Sequence, residues 1–192
     1  MSDSLGQGKK PEGGEKKKPG GPAFRAEFLL FLVLFFIIWL LSYFLMRMLP
    51  GFVDWLQVAI AREVAFCLKH LGYSYVLKES AITFYTAHGG ESLVVIAECT
   101  GLYTSIIYFS IIGAYPARIG EKLIGLIVGI PAIHILNLVR MVFVSLVLYH
   151  KPKLFDFVHG YLWQVGFVIF MLLLVIWWMW KIVKPKAAGK TR

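Results

Sequence analysis

From Ala26 to Met46 the chain is nearly continuous Leu, Phe and Ile. That run of about 21 residues makes a helix of roughly 31 Å, the thickness of a bilayer's hydrocarbon layer. Pro50 and Gly51 break the run, and Asp54 can cap a second segment in which Leu56, Ile60, Val64, Cys67 and Leu71 recur at helical spacing. Arg62, Glu63 and Lys69 occupy its other side, so this helix is too polar to span and is expected on the outer membrane surface or packed over the bundle. Over residues 74–97 the pattern changes. Tyr75, Val76, Ile82, Phe84 and Tyr85 precede a His88-Gly89-Gly90 turn and Leu93 to Ile96 follow it, which predicts a β-hairpin.

Gly101 to Tyr115 is apolar again and stops at Pro116, before a short loop with Arg118, Glu121 and Lys122. Leu123 to Tyr149 is a further apolar stretch of 27 residues holding Pro131, Asn137 and Arg140, which predicts a kinked or tilted helix. A loop from His150 to Gly160 leads to a last span, Tyr161 to Trp180. The whole pattern predicts a mainly α integral membrane protein. It has four transmembrane helices, over about 26–46, 101–115, 123–149 and 161–180, with an extracytoplasmic amphipathic helix and a β-hairpin. Residues 24–186 form the membrane domain, between basic cytoplasmic tails at 1–23 and 187–192.

Composition agrees with the membrane class: 58% of the residues are hydrophobic and mean hydropathy is +0.70. The net charge of +9 would suit a nucleic-acid partner only if basic residues gathered on a folded face, whereas they lie at the ends of apolar runs. Thirteen Lys and Arg fall on the proposed inner side and six on the outer, with Arg140 inside a span. This asymmetry orients the protein as a multi-pass membrane protein with both termini cytoplasmic. Residues 1–23 are polar and rich in Gly, Lys and Pro, so the first span reads as a retained anchor and not a cleaved signal. No inverted repeat of the transporter kind is evident.

Counting helix rise from the inner boundary assigns depth to the polar residues. Cys99 stands 17 positions before Pro116, roughly 25 Å from the inner edge. Arg140 stands 18 positions after Lys122, roughly 27 Å along its span. His159 directly precedes the last span, so three residues remote in sequence arrive at one outer level. Arginine in an apolar helix costs about 2.5–3.5 kcal/mol. Snorkelling, or a structural tie with Asn137, would account for it; so would a role in chemistry.

A lone cysteine is ordinarily a small buried apolar residue. Cys99 however lies in Glu98-Cys99-Thr100-Gly101, at a strand-to-helix boundary where helix N–H groups can lower a thiol pKa and serve as oxyanion donors, and Gly101 admits a substrate backbone. Cys67 lies on the apolar stripe and reads as packing, with a bond to Cys99 left open. His159 can anchor the helix at the interface or act as general acid or base, with Asp156 three residues earlier able to orient its ring. His134 reads as an interhelical hydrogen-bonder, and His70, His88 and His150 have no evident partner. Nothing indicates a cofactor, and Cys99 with His159 alone would make a poor metal site.

Glu98-Cys99-Thr100-Gly101 opening one span, Asn137-Leu138-Val139-Arg140 in the next, and Phe155-Asp156 followed by His159 and Trp163 together resemble the exosortase/archaeosortase family of membrane cysteine transpeptidases, from residue 26 onward. Tyr115-Pro116-Ala117 and Gly125 to Gly129 look most like its compact exosortase H subgroup. The resemblance implies that Cys99 attacks a peptide bond near the C-terminus of an exported protein whose sorting tail combines a short motif, a membrane span and basic residues. Arg140 would stabilise the oxyanion and His159 would protonate the leaving amine, with transfer to water or to a lipid or glycan acceptor. Two other classes are a non-enzymatic scaffold, in which Cys99 is incidental and its thiol inert, and a thiol oxidoreductase, which needs both Cys67 and Cys99.

Overall fold

A computed structural model describes residues 22–86 and 89–183. Of the expected tail at 1–23, residues 1–21 lie outside the described residues, as do the tail at 187–192 and His88 of the expected turn, while residues 22–23 begin the first helix. Helix α1 (Pro22–Arg47) is followed by α2 (Pro50–His70), the strands β1 (Val76–Lys78), β2 (Ala81–Thr86) and β3 (Gly89–Val94), and a 3-10 turn at Ala97–Thr100. Then come α3 (Leu102–Ala114) and the long α4 (Ile119–His150). A 3-10 turn at Pro152–Leu154, the short α5 (Phe155–Phe157), a π-helical stretch at Val158–Leu162 and α6 (Trp163–Lys181) complete the order.

Among the described residues three helical stretches are long and apolar enough to cross a membrane: Arg25–Arg47, Ile119–His150 and Pro152–Lys181. The expected span over 101–115 is a helix of 13 residues, about 20 Å long and shorter than a hydrocarbon core. Its ends are set locally, by Gly101 with φ 76° at one side and extended Tyr115 ahead of Pro116 at the other. The stretch expected to be a loop, His150 to Gly160, is instead mostly helical and runs into α6. Pro131 is absorbed within α4, which continues through it. Pro50 opens α2, with Leu49 at the N-cap, because a first-turn residue needs no N–H partner; Asp54 therefore lies inside the helix and not at its cap. The buried residues of α2 are Ile60, Ala61, Val64, Ala65 and Leu68, a face that leaves Leu71 exposed.

The hairpin is part of a three-stranded antiparallel sheet in the order β1-β2-β3, with Ile82 opposite both Leu77 and Leu93. Alternation turns Ile82 and Phe84 inward and Tyr85 outward. Gly89 and Gly90, expected in the turn, belong to β3. Strand β1 is too short to leave a period in the sequence.

Helix α4 runs through two apolar cores. One joins its C-terminal half (Met141, Val144, Leu148) to α2 and the sheet, and includes Cys99. The other joins its N-terminal half to Tyr108, Phe167 and Trp178. Helix α1 stays largely uncovered, with Leu29 60% and Leu41 69% exposed, an apolar surface that suits lipid and not water.

Two glycines let the second core close. Tyr108 donates from its hydroxyl to the Gly125 carbonyl at 3.0 Å, and Trp178 Nε1 donates to the Glu121 carbonyl at 2.8 Å. A Cβ on Gly129 would run into the Tyr108 ring, and one on Gly125 into the Trp178 indole. Gly129→Leu is expected to cost about 1–3 kcal/mol by overpacking. Thermal unfolding in detergent should register the loss, while Gly120→Ala, where a Cβ meets nothing within 4 Å, should not lower the transition.

Candidate active site

Cys99 sits on a turn that short-range hydrogen bonds build. The Cys99 N–H donates to the Ile96 carbonyl at 2.9 Å. Thr100 Oγ1 donates to the Ala97 carbonyl at 2.7 Å and accepts the Leu102 N–H at 3.3 Å. The main-chain donors of Cys99 and Leu102, which the sequence offers for an oxyanion, are thus occupied. From α4, fully buried Asn137 donates Nδ2 to the Cys99 carbonyl at 2.9 Å, a tie across 38 positions of sequence.

Gly101 makes that tie sterically feasible. Its φ of 76° is a left-handed conformation, and an added Cβ would stand 3.3 Å from both Cβ and Cγ of Asn137. Gly101→Ala should therefore destabilise the protein by about 1–2 kcal/mol from backbone strain alone. A lowered melting temperature at matched expression would register it.

The histidine and arginine arrive from separate helices. His159 Nε2 lies 4.0 Å from Cys99 Sγ, at the outer limit for a hydrogen bond to sulfur. The π-helical stretch carries this histidine, a distortion often found at functional positions. Phe155 stacks on its ring with centroids 5.2 Å apart and planes 5° from parallel. Asp156 is exposed and acts on His159 only through space, and the buried Nδ1 of His159 has no hydrogen-bond partner among the described residues, so stacking rather than a carboxylate hydrogen bond holds the ring.

The Arg140 guanidinium faces both the Cys99 sulfur and the His159 ring closely enough for electrostatic interaction. Its Cζ lies 5.5 Å from the Phe167 ring centroid, a cation–π contact that orients the fork. Arg140 Nε is buried and unpartnered among the described residues. Cys99, Arg140 and His159 are therefore brought together, with Asn137 and Gly101 fixing the cysteine turn. Both cysteines are free, and Cys67 is half-buried on α2.

A cavity of about 450 Å³ adjoins this cluster, with Arg140 and His159 in its wall. Cys99, only 2% exposed, lies behind them. Three other histidines have duties elsewhere: His134 Nε2 is 3.0 Å from Glu63 Oε2, His150 Nε2 pairs with the Tyr73 hydroxyl at 2.9 Å, and His70 Nδ1 with the Phe66 carbonyl. Sequence reading missed Phe155 and Phe167 as site residues. Both belong to an aromatic-rich run, and nothing in the order of residues says which rings face a histidine or an arginine.

Among the described residues no group of three or more His, Cys, Asp or Glu could hold a metal ion. No solved structure matches the chain. Archaeosortase A of Haloferax volcanii is 32% identical to it over 97 residues, covering 47% of this chain and 32% of that protein. The chain therefore matches about a third of the length of that curated relative. The family model described as transmembrane exosortase (Exosortase_EpsH) matches residues 20–179, a region that contains Cys99, Arg140 and His159. A match over most of the chain, together with three helices fit to cross a bilayer, identifies a membrane protein that belongs to the transmembrane exosortase family.

Proposed function

We propose that the protein is a cysteine transpeptidase that removes the C-terminal sorting tail of exported proteins. The observation that carries this reading is the approach of Cys99 Sγ to His159 Nε2, 4.0 Å apart, with half-buried Arg140 beside them. His159 Nε2 accepts the thiol proton as sulfur attacks the scissile carbonyl carbon. Negative charge then develops on the carbonyl oxygen. Arg140 meets it with a fixed positive fork, in surroundings where charge is weakly screened.

Collapse of the adduct breaks the C–N bond. His159 returns its proton to the leaving amine, and the exported protein remains attached to Cys99 as a thioester. A second nucleophile, either water or an amine or hydroxyl on a lipid or glycan acceptor, gives a proton to His159 as it attacks. The thiolate leaves, and the imidazolium restores the thiol. Because Arg140 and His159 wall the cavity while Cys99 lies behind them, one of the two must turn aside for the carbonyl to reach the sulfur.

In this reading α3 is the fourth crossing, completed by the turns at its two ends and by local bilayer thinning. Both termini are then cytoplasmic and the cysteine faces the outer side of a prokaryotic membrane. The test is cleavage of a co-expressed protein bearing a family-type sorting tail, by wild type and by Cys99→Ala and Cys67→Ala at matched membrane levels. Loss with the first and retention with the second is expected. Continued cleavage by Cys99→Ala would remove the proposed nucleophile and leave the scaffold reading.

A further inference from the structure

We infer that the cavity beside the site is the subsite for the leaving side of the substrate and takes the first residues after the scissile bond; this rests on the transpeptidase reading. The cavity has a direction. One wall carries His159 and Gly160 from the π-helical stretch at one end and Phe167, Val168 and Met171 from α6 beyond, so it extends from the reactive cluster along the helix axis. From Gly160 to Met171 the helix rises about 16 Å. Across from it, Tyr103, Thr104 and Ile107 form one face of α3 and descend in the same sense.

The wall is mixed, with Glu98, Arg140, His159 and Gln164 polar and Ile107, Phe167, Val168 and Met171 apolar. Along α6 polar Gln164 comes before Phe167, Val168 and Met171, the order in which a peptide chain passing from a polar sorting motif into its own membrane span would meet them. His159 stands at the upper end and must protonate the new amine, so the fragment that carries this amine belongs on the His159 side of the sulfur.

The backbone of that segment would lack water at this depth, and Thr104 of α3 and Gln164 of α6 place hydrogen-bonding groups in the cavity wall for it.

The experiment compares two substrates that differ only in the second to fifth residues after the scissile bond, either Leu and Phe or Ala and Gly. Pulse–chase cleavage by wild type is set against Val168→Trp, which narrows the lower cavity, and Met171→Ala, which widens it. Val168→Trp should slow the bulky substrate about tenfold or more and leave the small one near the wild-type rate. Met171→Ala should not slow the bulky one. Retained cleavage of the small substrate shows that the variant has folded.

A photoreactive residue placed three positions after the scissile bond in a Cys99→Ala complex should cross-link to residues 164–171. Equal slowing of both substrates together with absent cross-links overturns the subsite while Cys99-dependent cleavage keeps the transpeptidase reading. Failure of wild type to cleave either substrate overturns both.

Discussion

Membranes carrying Cys99→Ala are expected to leave a sorting-tail substrate uncleaved, while His159→Ala slows cleavage by about 10²–10⁴-fold, the usual worth of a positioned acid–base group. The two should not add. Once the nucleophile is gone, a proton relay has nothing to act on, so the double variant should match Cys99→Ala. Pulse–chase rates at matched protein level measure this, since an endpoint gel saturates while much activity remains. Cys67→Ala should retain cleavage, because Cys67 is on α2 and it is Cys99 that stands 4.0 Å from His159. Thiol labelling is a weaker discriminator than it first looks. With Cys99 2% exposed, slow labelling is expected of a nucleophile and of a packing residue alike.

Arg140→Lys should be nearly as damaging as Arg140→Ala, with cleavage falling by about 10²–10³-fold, the loss typical of one oxyanion donor. Lysine keeps the charge and loses the geometry. The guanidinium is a planar fork that lies over the Phe167 ring while facing sulfur and imidazole together. An ammonium on a flexible stem is a hydrated point charge with neither the plane nor the preset direction. A melting temperature for Arg140→Lys near that of wild type, with cleavage lost, marks a role in the reaction. A wild-type rate in Arg140→Lys would mean that charge alone suffices and that the fork geometry is unnecessary.

The apolar run at α1 and those within α4 and α6 are legible in the sequence because continuous Leu, Ile and Phe leave only one environment in which helices of that length are stable. The boundaries are less so. Pro116 ends α3 and Pro131 lies inside α4, both as expected, whereas the expected loop from His150 to Gly160 is mostly helical. Burial on α2 includes Ala61 and Ala65 and not Leu71. Small residues carry little hydropathy signal although they are what lets another element approach closely.

For the site, sequence by itself determined three chemically suited residues and, by counting helix rise, a common level for them. The motifs around Cys99, Arg140 and His159 were sufficient to suggest the family that the comparisons establish. Only the tertiary structure decided that Asn137 holds the cysteine turn through its carbonyl, that Phe155 and not Asp156 holds the histidine ring, and that Phe167 underlies the arginine. The reason is physical: rise along a helix depends on residue number alone and survives any rotation about the axis. Which side chains face one another depends on that rotation and on the packing of several helices at once, which the order of residues in one chain does not specify.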